Sequence, residues 1–196
     1  MIEKLAEIDR ELFLLLNKLH AAWLDPFMVI LSTTWVWIPL HIFLLYHIIK
    51  NYRLRSWLVI VGLALTILLA DRITSGVMKP YFERPRPSWE PELESVIHLV
   101  NGVKGGRFGF ASSHAANTFG AATFLILLFR NRMFKWLGWL MLWPVLVSYT
   151  RIYLGLHYPG DIIAGSIVGV LCGAFSFWIY TKLSALLEKQ KTPSMP

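Results

Sequence analysis

Residues able to hold and cleave a phosphate collect in three short stretches of this sequence. Lys79 is followed by Arg86, Ser112 and Ser113 precede His114, and Arg151 is followed by His157 and Asp161. A phosphoryl group asks for several donors around its non-bridging oxygens, and its transfer depends mainly on positioning and charge stabilisation. Lys79, Arg86 and Arg151 supply that field, the arginines as planar forks and the lysine as a compact charge. Ser112 adds a hydroxyl, and a helix starting there would turn backbone N–H groups toward an anion. Histidine exchanges protons near neutral pH, so a pair of them suits acid–base or nucleophilic work. Taken singly these residues are ordinary, since Lys and Arg mark membrane interfaces and Ser caps helices. That explanation does not account for two histidines and Asp161 sharing one boundary with all three cations. The cations meet the need for charge neutralisation, so no metal is required, and no cofactor is expected.

The elements that must bring these stretches together are membrane helices. The chain has 196 residues with 56% hydrophobic content, nine Trp and only 16% charged residues, far from a soluble composition. Five stretches approach the roughly 20 apolar residues that span a hydrocarbon core: Phe27–Ile49, Trp57–Met78, Phe108–Phe129, Phe134–Thr150 and Ile162–Thr181. The expectation is an all-α integral membrane protein, a single compact transmembrane helical bundle over 1–196. Residues 1–25 place Leu5, Ile8, Leu12, Leu15, Leu16 and Leu19 at helical spacing among charges, which predicts an amphipathic helix on the membrane surface. A sixth, partial span through Leu12–Leu24 is the alternative for this region, and no cleaved signal peptide is read. Prolines at 80, 85, 87 and 91 end the second span and open a loop region, 80–107, within which Glu90–Val100 is read as a surface helix. Gly165, Gly169 and Gly173 stack at four-residue intervals, a surface for close helix packing. Cys172 excludes an intramolecular disulfide and is assigned to packing.

Charge gives the orientation. With five spans, Lys50, Arg53, Arg55, Arg130, Arg132, Lys135, Lys182, Lys189 and Lys191 share one side with only Glu188 against them. Basic residues in short loops stay cytoplasmic, so the three chemical stretches face outward. The net charge of +7 is explained by this topology, and no nucleic-acid partner is read.

These signatures resemble the type 2 phosphatidic acid phosphatase superfamily of membrane lipid phosphatases. Lys79-Pro80-Tyr81-Phe82-Glu83-Arg84-Pro85-Arg86-Pro87 fits its Lys, six residues, Arg-Pro pattern. Ala111-Ser112-Ser113-His114 resembles its Pro-Ser-Gly-His pattern, with Ala111 and Ser113 as departures. Thr150-Arg151, His157 and Asp161 resemble its Ser-Arg, His and Asp pattern. The resemblance implies that His157 attacks phosphorus to form a phosphohistidine, that Asp161 orients its ring, and that His114 protonates the leaving oxygen and then activates water. It implies phosphate binding by Lys79, Arg86, Ser112, Ser113 and Arg151.

The implied protein is a multi-pass enzyme of the bacterial cytoplasmic (inner) membrane, its active site on the extracytoplasmic face and its substrate a membrane lipid phosphate. Undecaprenyl diphosphate is placed first among substrates and lipid A phosphate next, with phosphatidylglycerol phosphate and phosphatidic acid as further candidates. A nonenzymatic phospholipid-binding or transport protein is the alternative of a different class; the histidine pair, and the gathering of informative residues at one surface, count against it. Asp71 and Arg72 fall outside the signatures: Asp71 shares a helical face with Ser75 and Lys79, which allows it to support Lys79, and an internal bundle-stabilising role is the other reading.

Overall fold

The computed structural model describes residues 2–131 and 138–189, and the described residues form helices with no strand beyond one isolated bridge between Pro85 and Phe108. The helices are α1 (Ile2–Asn17), α2 (Asp25–Ser32), α3 (Ile38–Tyr52), α4 (Ser56–Asp71), α5 (Ser113–Phe129), α6 (Leu142–Tyr153) and α7 (Pro159–Lys189). After α4 the chain winds on as a π-helix through Arg72–Met78 and a last turn at Lys79–Phe82.

Helices α4, α5 and α7 make the centre because small residues let their backbones close in. A Cβ added at Gly165, Gly169 or Gly173 would lie 2.4, 2.2 or 2.4 Å from the carbonyl oxygens of Ser112, Ala116 and Gly120. The glycine stripe is therefore the α5–α7 seam, the packing role its spacing predicted. Away from that seam, Ile163, Ile167, Leu171 and Phe175 of α7 are exposed, as are Ile42, Leu45, Ile60 and Leu68 of α3 and α4. Large apolar side chains turned outward on the helices suit a lipid solvent rather than water.

Among the described residues two segments are long and apolar enough to cross a membrane, Trp35–Phe82 and Pro159–Lys189, with mean hydropathies of 1.9 and 2.1. The first folds back at Arg53, whose φ of 45° turns α3 against α4. Arg55 then pairs with Glu188 at the end of α7, so both basic ends meet. Arg132, Lys135, Lys191 and the start of the expected span Phe134–Thr150 lie outside the described residues; the chain turns at Met141, and from Leu142 the span is α6, which runs on to Tyr153.

Other expectations are corrected. Phe27–Ile49 is not one helix: α2 ends at Ser32, Thr33 is extended at ψ 152°, and α3 restarts with Pro39 in its first turn. The stretch Phe108–Phe129 becomes helical only at Ser113. Leu12–Leu24 is not one helix, since α1 ends at Asn17, whose side chain donates to the carbonyls of Ile152 and Tyr153. Phe13 and Asn17 are buried while Leu5, Ile8 and Leu15 stay exposed, so α1 docks on the body by one face and keeps its leucine stripe outward. Glu90–Val100 forms no α-helix; a 3-10 turn at Pro91–Leu93 presents Leu93 to Phe13, Ile152 and Tyr158, and that tertiary burial overrides the helical pattern.

Candidate active site

The site is built where α6 hands over to α7. Past Tyr153 the chain turns on Gly155, at φ 73° and tight against Leu99, and the N–H groups of Leu156 and His157 both return to the Arg151 carbonyl. Pro159 then opens α7, which puts Asp161 in its first turn. His157 and Asp161 are both buried, with Nδ1 of the ring 3.2 Å from Asp161 Oδ2, which also accepts the Tyr158 N–H at 3.1 Å. With Nδ1–H donated to the carboxylate, Nε2 carries the lone pair. Burial holds the His157 pKa well below its ordinary value, and Arg86, Arg151 and Lys79 push it the same way, so the imidazole is neutral.

These three cations come from separate elements. Arg151 is buried on α6; NH1 donates to Ser32 Oγ at 2.6 Å, and Nε is buried with no hydrogen-bond partner. A buried guanidinium N–H with no partner fits an anion that would complete it. The α2 break at Ser32–Thr33 thus supplies a hydroxyl to Arg151. Arg86 is buried too, its Nε donating to the Phe108 carbonyl at 3.2 Å, and burial lowers its pKa. Lys79 donates to Ser113 Oγ at 2.7 Å and reaches Ser75 Oγ at 3.4 Å, while Ser75 donates to Asp71 Oδ1 at 3.0 Å. The Asp71–Ser75–Lys79 face read from spacing therefore exists.

Helix α5 starts against this cluster. Ser112 caps it, accepting from the Ala115 N–H, and the Ser112 N–H donates to the Asp161 carbonyl at 3.0 Å. The helix N-terminus, with N–H groups outside its own ladder, is thereby fixed beside the histidine–carboxylate pair. Ser113 is helical, so the side chain standing where the resembling pattern has glycine meets no backbone penalty. Its hydroxyl serves Lys79. His114 follows in the same turn and is exposed, where a bound group can reach it.

All eight expected residues lie at this one end of the bundle. The structure adds four that sequence reasoning missed: Ser32, Gly109, Arg84 and Asp9. A Cβ at Gly109 would lie 2.9 Å from Asp161 Oδ2 and 3.1 Å from Arg86 Cγ, so the chain passes too close for a side chain. Arg84 NH1 donates to Asp161 Oδ1 at 3.0 Å and NH2 to Asp9 Oδ2 at 2.7 Å. The only signal for these in the sequence was Arg84's place between Lys79 and Arg86. Among the described residues no cluster of His, Cys, Asp and Glu has the makings of a metal site.

Residues 56–185 match the PAP2 superfamily. The chain is 44% identical over 192 residues to a lipid A 4'-phosphatase of Bacteroides thetaiotaomicron, covering 96% of this chain and 84% of that protein. It is 36% identical to a lipid A 4'-phosphatase of Porphyromonas gingivalis, covering 91% and 75%. An undecaprenyl-diphosphatase of Sulfolobus acidocaldarius is 31% identical, covering 81% and 72%. Among solved structures it is similar to the crystal structure of Aquifex aeolicus LpxE, with a TM-score of 0.65 and 28% identity over 85% of this chain and 92% of that one.

Proposed function

The chain belongs to the PAP2 superfamily of phosphatases, and on that premise we propose that it removes a phosphate from lipid A through a phosphohistidine on His157. The observation that carries this reading is the buried His157–Asp161 pair, with a neutral imidazole held under the field of Lys79, Arg86 and Arg151. The cations, the partnerless Arg151 Nε and the α5 N-terminus draw the phosphate oxygens to one place. Nε2 attacks phosphorus as the P–O bond to the lipid breaks, and His114 passes a proton to the departing oxygen. Water then attacks the phosphohistidine, giving its proton to His114; the N–P bond breaks and inorganic phosphate leaves. Asp161 accepts the Nδ1–H throughout and balances the charge that develops on the ring.

The order of substrates changes from the one drawn from the sequence. Undecaprenyl diphosphate stood first, yet the two relatives with the higher identity and wider coverage are named as lipid A 4'-phosphatases. Lipid A phosphate, a monoester on a sugar, therefore takes first place. We place the enzyme in the bacterial inner membrane with α3 to α7 as five crossings, α1 at the interface and the site on the outer face, a reading supported by the segregation of basic residues at the Arg55–Glu188 end.

Purified protein in detergent should release phosphate from lipid A faster than from undecaprenyl diphosphate, phosphatidylglycerol phosphate, phosphatidic acid or a water-soluble ester, and should do so in the presence of a chelator. An acid-labile label from ³²P-lipid should appear on the protein and vanish in His157→Gln. Preference for the diphosphate would return undecaprenyl diphosphate to first place. A label that survives His157→Gln would exclude this histidine.

A further inference from the structure

We propose that Arg84 is a positioning residue for the nucleophile, and that Asp9 of the surface helix α1 holds it in place. Asp161 has a side chain with 0% exposure, and its oxygens are shared out: Oδ2 serves His157 and the Tyr158 N–H, whereas Oδ1 takes Arg84 NH1 at 3.0 Å. A carboxylate this buried stays ionised only beside a counter-charge and hydrogen-bond donors. All three contacts are donors and offset the cost that burial places on its charge.

Arg84 is itself held on three sides. NH2 donates to Asp9 Oδ2 at 2.7 Å, and the guanidinium lies over the Tyr158 ring, 4.1 Å from its centroid. The second Asp9 oxygen accepts the Gly160 N–H at 2.6 Å, on the first turn of α7, where the positive end of the helix dipole favours an anion. Asp9 thus grips both the arginine and the turn that carries Asp161. The arrangement spans α1, the 83–107 loop and α7, unlike a surface ion pair between mobile ends. The groups facing Asp161 are His157 and Tyr158 from its own turn, Arg84 and Arg86 from the loop, Lys79 from the turn before that loop, and Asp9 from α1 through Arg84; the Ser112 N–H of α5 meets its backbone.

Without Arg84, Asp161 takes up a proton more readily, and a protonated acid no longer fixes the Nδ1–H tautomer of His157. Removing this cation raises the proton affinity of Asp161, so the acid limb of activity moves to higher pH. The inference rests on His157 as nucleophile. Its test measures kcat and KM against pH with a lipid monophosphate in detergent for Arg84→Gln, Arg84→Lys and Asp9→Asn. Arg84→Gln should lower kcat at neutral pH by about tenfold or more with little change in KM, and move the acid limb up by about one pH unit, the low end for loss of a close opposite charge. Arg84→Lys should keep the limb near its native position, and Asp9→Asn should shift it in the same direction by less. Independently of turnover, ¹⁵N-histidine spectra should show the His157 Nδ1–H resonance displaced in Arg84→Gln and restored in Arg84→Lys. A uniform loss of activity with an unmoved limb and an unmoved resonance would make Arg84 a structural strut and overturn the inference. Native protein that turns over without phosphorylating His157 fails the parent reading instead, and the resonance still reports whether Arg84 governs the ring's partner.

Discussion

At the scale of residues, burial decides what each histidine does. His157 is enclosed by the fold, whereas His114 keeps an exposed face in the first turn of α5, where a leaving group can reach it. An unfolded chain has its imidazoles near 6.5. The folded pKa of His157 lies well below that, so below about pH 6.5 the unfolded state binds the extra proton and stability falls as pH falls. Melting of the detergent-solubilised protein should therefore decline as pH falls from about 7 to 5, and His157→Gln should make that decline shallower; an equal slope in both would reject the assignment. For His114 the leaving group makes the difference. A monoester expels an alkoxide and a diphosphate expels a phosphate that bears charge far better, so the ester needs the acid more. General acid–base help is worth about 10²–10⁴-fold. His114→Ala should slow phosphoenzyme formation strongly from a lipid monophosphate and less from a diphosphate, with slow breakdown in both cases. Single-turnover trapping separates the steps; equal slowing of formation with normal breakdown would limit His114 to positioning.

Among the elements, the α5–α7 seam links packing to chemistry. Gly165 faces the carbonyl of Ser112, the cap that also donates to Asp161, whereas Gly173 faces Gly120, two turns further from the site. Overfilling a tight contact costs about 1–3 kcal/mol, so Gly165→Ala and Gly173→Ala should both lower the melting temperature. Displacing reacting groups by about 1 Å can cost about a hundredfold in rate. Gly165→Ala should therefore lose turnover at least about tenfold beyond what its melting shift explains, while Gly173→Ala should retain turnover below its melting point. Equal losses of activity would mean that the seam acts as one rigid body. The π-helix at Arg72–Met78 plays the matching part on the other side, carrying Ser75 and leading to Lys79, so that both hydroxyl and ammonium meet Ser113.

For the whole molecule, the excess of basic over acidic residues and the chemistry occupy opposite ends of the bundle. Arg53 and Arg55 sit at the α3–α4 turn beside the end of α7, and the catalytic candidates gather where α5 and α7 begin. The basic end should face the cytoplasm. In a background with Cys172 replaced, a cysteine near Trp89 should react with an impermeant label from outside and one near Leu54 only after permeabilisation. The reverse pattern would invert the topology.

Composition and periodicity were enough to read an all-helical protein and the small-residue face of α7, because each is written in local spacing; the eight residues proposed for the site were legible as residue types that suit a phosphate and through the order of the resembling signatures. Helix starts, apolar runs and the phosphate-binding chemistry of Lys, Arg, Ser and His need no knowledge of distant contacts. The sequence also suggested that Asp71 and Lys79 share a face, and the Ser75 hydroxyl does connect them. The break in Phe27–Ile49, the missing helix at Glu90–Val100 and the partners of Arg84 were left to tertiary structure. Ser32 meets Arg151 across 119 positions, and Arg84 reaches Asp9 and Asp161 across 75 and 77. No local pattern records such pairs: they exist because burying Arg151 and Asp161 at the top of a closed seam obliges distant segments to bring hydroxyl, carboxylate and guanidinium partners to them.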